Sequence, residues 1–287
     1  MNNEILDDFT NKRIYIYCDK SIYKFMEDYI ISINKILKAT IINKIDKNDN
    51  LMNKDNIIIF MQKIPNLGKK IDNTNNNILI LNTEQLTRKE WLNYIKKISK
   101  DFIIIDYSKE NIDIMNKHNI KNTIYFPYIY NSQEIYNLKK TKNLCGIALY
   151  NMKRRQNIMK HYSFKNIKIN NIRGWKGTRD KILFQHKILI NISADKDYNI
   201  FETIRCYRCL FNKMIIISEK KYKNELIDYA KHILFAKITD IPKLVKRVLS
   251  NYDYYYKKLD IDNVNYTLNN HLINKKKLIM YCRNMNK

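Results

Sequence analysis

"KILINISADKDYNIFETIRCYRCLFNKMIIISE", residues 187–219, reads as strand, loop, helix and strand, and that reading decides the fold. Its opening KILINIS and the closing run Met214 to Ile217 are apolar, rich in β-branched residues and too short for helices. Between them Phe201, Ile204, Leu210 and Phe211 recur at helical spacing. Continuous apolar strands joined by a helix predict parallel neighbours buried on both faces. In open α/β sheets, ligands bind beyond the carboxyl ends of strands and near the amino ends of the helices that follow. Two acids therefore become candidates: Glu202, in the predicted first turn of the helix, and Glu219, at the far end of the next strand.

Working outward, the same alternation covers the chain. Strands are predicted at 13–18, 56–61, 77–81, 101–106 and 122–128, then at 143–149, 164–170, 187–193, 213–218 and 232–236. Between the two sets, "PYIYNSQEIYNLKKTK" opens on Pro127 and ends polar and lysine-rich, which suits a connection between domains. The expected organisation is an N-terminal Rossmann-like domain over 1–130, a linker over 131–141, a C-terminal Rossmann-like domain over 142–258 and a helical segment over 259–287.

At 287 residues and 45% hydrophobic, the chain is long enough for two cores. Its formal net charge of +25 suits a phosphate-bearing ligand, and a basic nucleic-acid-binding protein is the alternative class. The lysines are spread among Asn, Ile and Tyr along the whole length, as translation of an AT-rich genome would leave them. Five scattered cysteines predict a reducing compartment, and the CxxC of Cys206 and Cys209 falls in a predicted helix, where it reads as packing. With no apolar stretch near the ~18 to 20 residues of a membrane span, a soluble cytoplasmic product is expected.

Only four glycines are present, in neither a GxGxxG nor a Walker A arrangement, so another device must hold phosphate. "LYNMKRRQNIM" follows the strand ending near Gly146 and puts Lys153, Arg154 and Arg155 at the start of a helix. Backbone N–H groups, the positive helix end and two guanidinium forks would converge there on a diphosphate; a solvated basic first turn is the plainer reading. "RGWKGTRD" (173–180) ends with Arg179 opening a helix and offers a second phosphate-contacting loop. Its GxxG spacing also matches KH domains, whose loop lies between two helices, whereas a strand precedes this one. Asp195 and Asp197 in "ADKD" have the spacing of a divalent-metal site in metal-dependent transferases. Glu202 has a structural alternative as well, as the third helical residue behind an Asn199 cap.

Taken in order, these segments resemble the GT-B glycosyltransferases, including those encoded by giant DNA viruses. "IIIDYSKENI" (103–112) is similar to the last strand of the family's N-terminal domain, and "IYFPYIY" (124–130) to the segment entering its linker. "LCGIALYNMKRR" resembles the opening strand and basic helix start of the donor domain, and residues 187–219 its most diagnostic stretch. The resemblance implies two Rossmann-like domains facing across a cleft, and transfer of a sugar from a nucleoside diphosphate donor to a glycan, protein or small molecule without a required metal or cofactor. It puts Glu202 on the donor ribose and Arg154 or Arg155 on the diphosphate, with Lys153, Arg179 and Glu219 nearby. Glu84, in "ILNTEQL" (80–86), is implied as the acceptor-side base, against a plainer reading as a first-turn helix glutamate. Ala194 stands where many members carry a second glutamate, and Asn212 where a glycine is usual. The alternatives are a metal-dependent transferase using Asp195 and Asp197, or a basic nucleic-acid binder. A viral origin would place the protein in the host cytoplasm or the virion.

Overall fold

The computed structural model describes residues 13–45, 51, 56–65, 78–128, 130, 132–174, 177–221 and 223–264. The chain divides into two α/β units, one containing the described residues up to Tyr128 and the other starting at Tyr130.

The first unit is a parallel sheet of β1 (Arg13–Tyr17), β2 (Thr40–Ile42), β3 (Asn56–Met61), β4 (Ile78–Asn82), β5 (Ile103–Asp106) and β6 (Thr123–Tyr125), in the order β2-β1-β3-β4-β5-β6. Three described helices accompany it: α1 (Lys20–Leu37), α2 (Lys89–Ile98) and α3 (Lys109–Lys117). Asp19 starts α1 by accepting the Ser21 N–H at 2.8 Å, and the Ser108 hydroxyl starts α3 by accepting the Asn111 N–H at 3.3 Å. Alternate residues of the central strands (Ile58, Phe60, Ile78, Ile80, Ile104) pack with Ile95, Ile98 and Met115 of α2 and α3 in one core cluster.

The second unit repeats this plan with β7 (Lys142–Ile147), β8 (Asn170–Ile172), β9 (His186–Asn191), β10 (Ile215–Glu219) and β11 (Ile233–Ala236), all parallel and ordered β11-β10-β9-β7-β8. Its helices are α4 (Lys153–Lys160), α5 (Tyr162–Lys165), α6 (Thr178–Leu183), α7 (Thr203–Phe211), α8 (Ile241–Ser250) and α9 (Tyr252–Lys258). In both units the second strand lies outside the first and the third lies on the first strand's other side. The winding therefore reverses between β1 and β3 and again between β7 and β9, which is where doubly wound sheets open a crevice beyond the strand ends.

Three expectations change. Thr40–Ile42 forms an edge strand too short to stand out from the polar sequence around it. Residues 164–170 were expected as a strand, but α5 occupies their start and β8 begins only at Asn170. The His161 ring caps that turn by accepting the Ser163 N–H at 3.4 Å, and Phe164 is buried from it. The expected linker 131–141 folds onto the second unit: the Tyr136 N–H donates to Asn212 Oδ1 at 2.9 Å, and Lys140 Nζ donates to the carbonyls of Phe184 and Asn212 at 2.6 and 2.7 Å. The helix expected after residue 265 lies outside the described residues.

Candidate active site

At the carboxyl ends of β9 and β10, Ser193 joins several charged side chains. Arg154, in the first turn of α4, donates from Nη1 to the Ser193 carbonyl at 2.9 Å, to its Oγ at 2.8 Å and to Glu219 Oε2 at 3.1 Å. Its Nη2 donates to the other oxygen of the same carboxylate. Glu219, the last residue of β10, also accepts the Ser193 N–H at 3.3 Å. From the following loop, Lys221 Nζ reaches Ser193 Oγ at 3.0 Å and the Asp195 and Lys196 carbonyls at 3.3 and 3.2 Å. Burial holds the Lys221 amine below its ordinary pKa, while the nearby Glu219 carboxylate opposes that shift.

Arg155 is oriented differently. Its side chain is only 3% exposed, with Nε donating to the Ile192 carbonyl at 2.8 Å and Nη2 lying 3.4 Å from Glu202 Oε1. Glu202 is not the third residue of a capped turn, as the structural alternative supposed. Helix α7 begins at Thr203, and Glu202 occupies the cap position without a side-chain cap bond. Its carboxylate faces cations instead, with Arg205 Nη1 2.9 Å from Oε2. Thr203 Oγ1, next to Glu202 in sequence, and Asn191 Oδ1, at the end of β9, are buried without a partner among the described residues. The N-caps of α4 and α7, Met152 and Glu202, make no side-chain cap bond, so first-turn N–H groups of both helices lack that partner.

The remaining sequence candidates divide. Lys153 is exposed at the start of α4, next to Arg154. Arg179 belongs to another cluster: it pairs with Asp180 at 2.7 Å, and Arg208 clamps Asp180 at 2.7 and 2.6 Å while its Nε meets Glu134 at 3.0 Å. Arg208 lies in the last turn of α7, just ahead of β10, so this buried network belongs to the amino-end side of the sheet. The expectation that Arg179 joins Arg154 is thereby corrected, because Arg179 packs with Asp180 and Arg208 at the amino-end side of the sheet while Arg154 lies at the carboxyl-end side. The GxxG loop contains Trp175 and Lys176, which lie outside the described residues. Asp195 Oδ1 accepts the Lys196 N–H at 2.6 Å and Asp197 is exposed. Among the described residues, no group of three His, Cys, Asp or Glu side chains is placed to hold a metal ion.

The first unit holds its own polar cluster at the ends of β3, β4 and β5. Glu84 lies in the loop after β4, five residues ahead of α2, so its reading as a first-turn helix residue fails. Gln62 Nε2 donates to Thr83 Oγ1 at 2.7 Å and to Glu84 Oε1 at 3.2 Å, and Arg88 Nη1 donates to Glu84 Oε2 at 2.9 Å. Burial raises the Glu84 pKa, with Arg88 pulling it back. Beneath it, Asp106 accepts from Asn82 Nδ2 at 2.6 Å, from Asn111 Nδ2 at 3.0 Å and from the Ser108 N–H at 2.8 Å. Both amides also donate to the Glu84 carbonyl at 2.9 Å, so one buried carboxylate braces the loop. Burial pushes Asp106 up to about 7 against those hydrogen bonds.

Sequence reasoning missed Ser193, Lys221, Gln62, Asn82, Asp106 and Asn111. One signal was available: a polar residue closing an apolar strand, as Asn82 closes ILIL and Asp106 closes III, falls at the strand end where ligands bind.

Uncharacterized protein L140 of Acanthamoeba polyphaga mimivirus is 30% identical over 264 residues, covering 86% of this chain and 83% of L140. The chain belongs to the L140 family. Uncharacterized protein R358 of the same virus is 30% identical over 236 residues, covering 77% of this chain and 82% of R358. L138 matches at 31% identity over 260 residues, but these make up only 28% of its length. No protein-family model matches the chain. Among solved structures, the crystal structure of a glycosyltransferase from Rickettsia africae ESF-5 superposes with a TM-score of 0.56 at 11% identity, covering 96% of this chain and 99% of that one. The L140-family chain thus shares the overall fold of that structure. None of its described helices is long and apolar enough to cross a membrane.

Proposed function

We propose that this L140-family chain is a glycosyltransferase that moves a sugar from a nucleoside diphosphate donor to an acceptor hydroxyl, with no required metal ion or cofactor. The observation carrying the reading is the Arg154 guanidinium, in the first turn of α4, held by Ser193 and Glu219 at the carboxyl ends of β9 and β10. Departure of a diphosphate needs its negative charge stabilised as the glycosidic bond breaks, and fixed guanidinium, ammonium and backbone donors supply that. Arg154 takes this role, with Lys153 and Lys221 adding charge. Glu202 accepts the donor's ribose hydroxyls, and Arg155 beneath it fixes its carboxylate. Glu84, whose carboxyl burial makes more basic, takes the acceptor proton. The acceptor is a glycan, a protein or a small molecule.

Thermal shift with uridine, guanosine, adenosine and thymidine diphosphates in EDTA tests the reading. Stabilisation by one of them is expected. Stabilisation only with manganese or magnesium would move the reading to Asp195 and Asp197. No stabilisation, with salt-sensitive RNA binding, would move it to a basic nucleic-acid binder.

A further inference from the structure

The second unit has a cavity of about 560 Å³ lined by Ile135, Asn137, Leu138, Lys139, Lys140, Asn212, Lys213, Tyr252, Asp253 and Tyr256. Lys140 lies just ahead of β7, and Asn212 and Lys213 lie just ahead of β10, so the cavity sits on the amino-end side of the sheet. Arg154, Ser193 and Glu219 occupy the carboxyl-end side. Three of the lining residues are lysines and one is an aspartate. We propose that this cavity is a second site, binding a small phosphate ester with a ring body; the proposal does not rest on the donor-site reading.

The side chains divide into wall and ligand contacts. Lys140 Nζ is clamped by the Phe184 and Asn212 carbonyls at 2.6 and 2.7 Å, and the Asn212 side chain is spent on Glu134, Arg208 and Tyr136. These hold the wall while Lys140 keeps a positive charge there. Burial pulls that amine down to about 8, and an anion in the cavity would raise it again. Among the described residues, the Lys213 side chain pairs with Asp262 at 3.0 Å, both side chains being more than half exposed, and the same Asp262 oxygen accepts the Tyr256 hydroxyl at 2.8 Å. Pairs of that kind are worth ~0 to 1 kcal/mol, so a phosphate can replace the carboxylate. Lys139 is exposed beside it.

The ring body meets Tyr252 and Tyr256, whose centroids lie 5.7 Å apart. Lys187 Nζ, outside the cavity lining, sits 4.9 Å from the Tyr252 ring centroid. The Tyr252 hydroxyl oxygen is buried without a hydrogen-bond partner among the described residues. The cavity volume falls in the ~300 to 1,000 Å³ range of small-ligand sites.

Calorimetric titration of the full chain with adenosine monophosphate, glucose 1-phosphate and inorganic phosphate tests the proposal. Both esters should bind more tightly than inorganic phosphate, and the tighter ester tells whether the source is a nucleotide or a sugar. The double variant Lys139→Ala/Lys213→Ala should weaken ester binding about tenfold or more. Asp262→Asn, which releases Lys213, should strengthen it about two- to fivefold, a gain that misfolding cannot imitate. Arg154→Ala should leave it unchanged. No binding by any probe, an unaffected double variant, no gain from Asp262→Asn or equal sensitivity to Arg154→Ala would each overturn the site. Equal affinity for inorganic phosphate and both esters would overturn its preference for a ring.

Discussion

Arg154 and Glu219 meet through both guanidinium ends, Nη1 standing 3.1 Å from Oε2 and Nη2 bonded to Oε1. The next residue along α4 turns inward, so the side chains of this adjacent pair are 21% and 3% exposed. Unequal alanine variants follow. Arg154→Ala should weaken nucleoside diphosphate binding about ten- to a hundredfold, and it should also lower the melting temperature by leaving the buried Glu219 carboxylate without its guanidinium. Arg155→Ala should lower stability, since it strands the Ile192 carbonyl and leaves Glu202 without one of its cations. Calorimetry and thermal melts of the two variants check this, and equal small effects would reduce the pair to a solvated first turn.

Glu202→Gln separates binding from folding, because the carboxylate makes no cap bond to the α7 backbone. Diphosphate affinity should drop about tenfold or more, a larger effect than the modest loss in melting temperature from the weakened pairs with Arg155 and Arg205. Asp195→Asn and Asp197→Asn serve as controls and should both retain turnover. A lowered melting temperature with unchanged affinity would make Glu202 a structural residue only.

If Glu84 takes the acceptor proton, Glu84→Gln should cut turnover about 10²- to 10⁴-fold while leaving donor binding intact. Single-turnover assays with saturating donor measure the first effect and titration with diphosphate the second. Loss of donor affinity in this variant would contradict its assignment to the acceptor.

Asp106 has a folded-state pKa raised from 3.8 to about 7. The folded chain therefore binds this proton more tightly than the unfolded chain. Its contribution to stability is fully present below about 4 and is lost as pH rises toward 7 and through it. Denaturation between pH 5 and 8 should show wild type losing stability relative to Asp106→Asn. Parallel pH profiles would refute the buried titration.

Gly146 in β7 has no room for a methyl group. A Cβ there would stand 2.5 Å from Leu149 Cδ1 and 2.6 Å from its Cγ, and Leu149 is buried. Gly146→Ala should cost about 1 to 3 kcal/mol in chemical denaturation.

The central strands were legible because each is a continuous apolar run, and parallel strands buried on both faces must be so. Arg154, Glu202 and Glu219 could be found because sheet topology fixes where strand ends and helix starts meet. What stayed hidden depended on contacts distant in sequence. Arg179 and Arg154 look alike as basic residues opening helices, and only the fold shows that Asp180, held by Arg208 28 residues away, claims the first. Ser193 carries no charge and lies in a loop, yet it touches Arg154, Glu219 and Lys221. The extent of α5 was misread because Phe164 and Ile167 suit a short helical turn as well as a strand.

The folding of residues 132–140 onto the second sheet decides where this polypeptide can be cut. A fragment starting at Lys142, as the primary structure alone suggests, would discard Glu134, Tyr136 and Lys140 together. Arg208 would lose one of its two carboxylate partners, and the Phe184 and Asn212 carbonyls would lose the ammonium that bridges them. Leaving buried carbonyls without their donor costs about 1 to 3 kcal/mol each, a large part of the stability of a unit this size. Expression of the isolated C-terminal half should therefore begin at or before Tyr130, with the apparent tether kept as an integral strap.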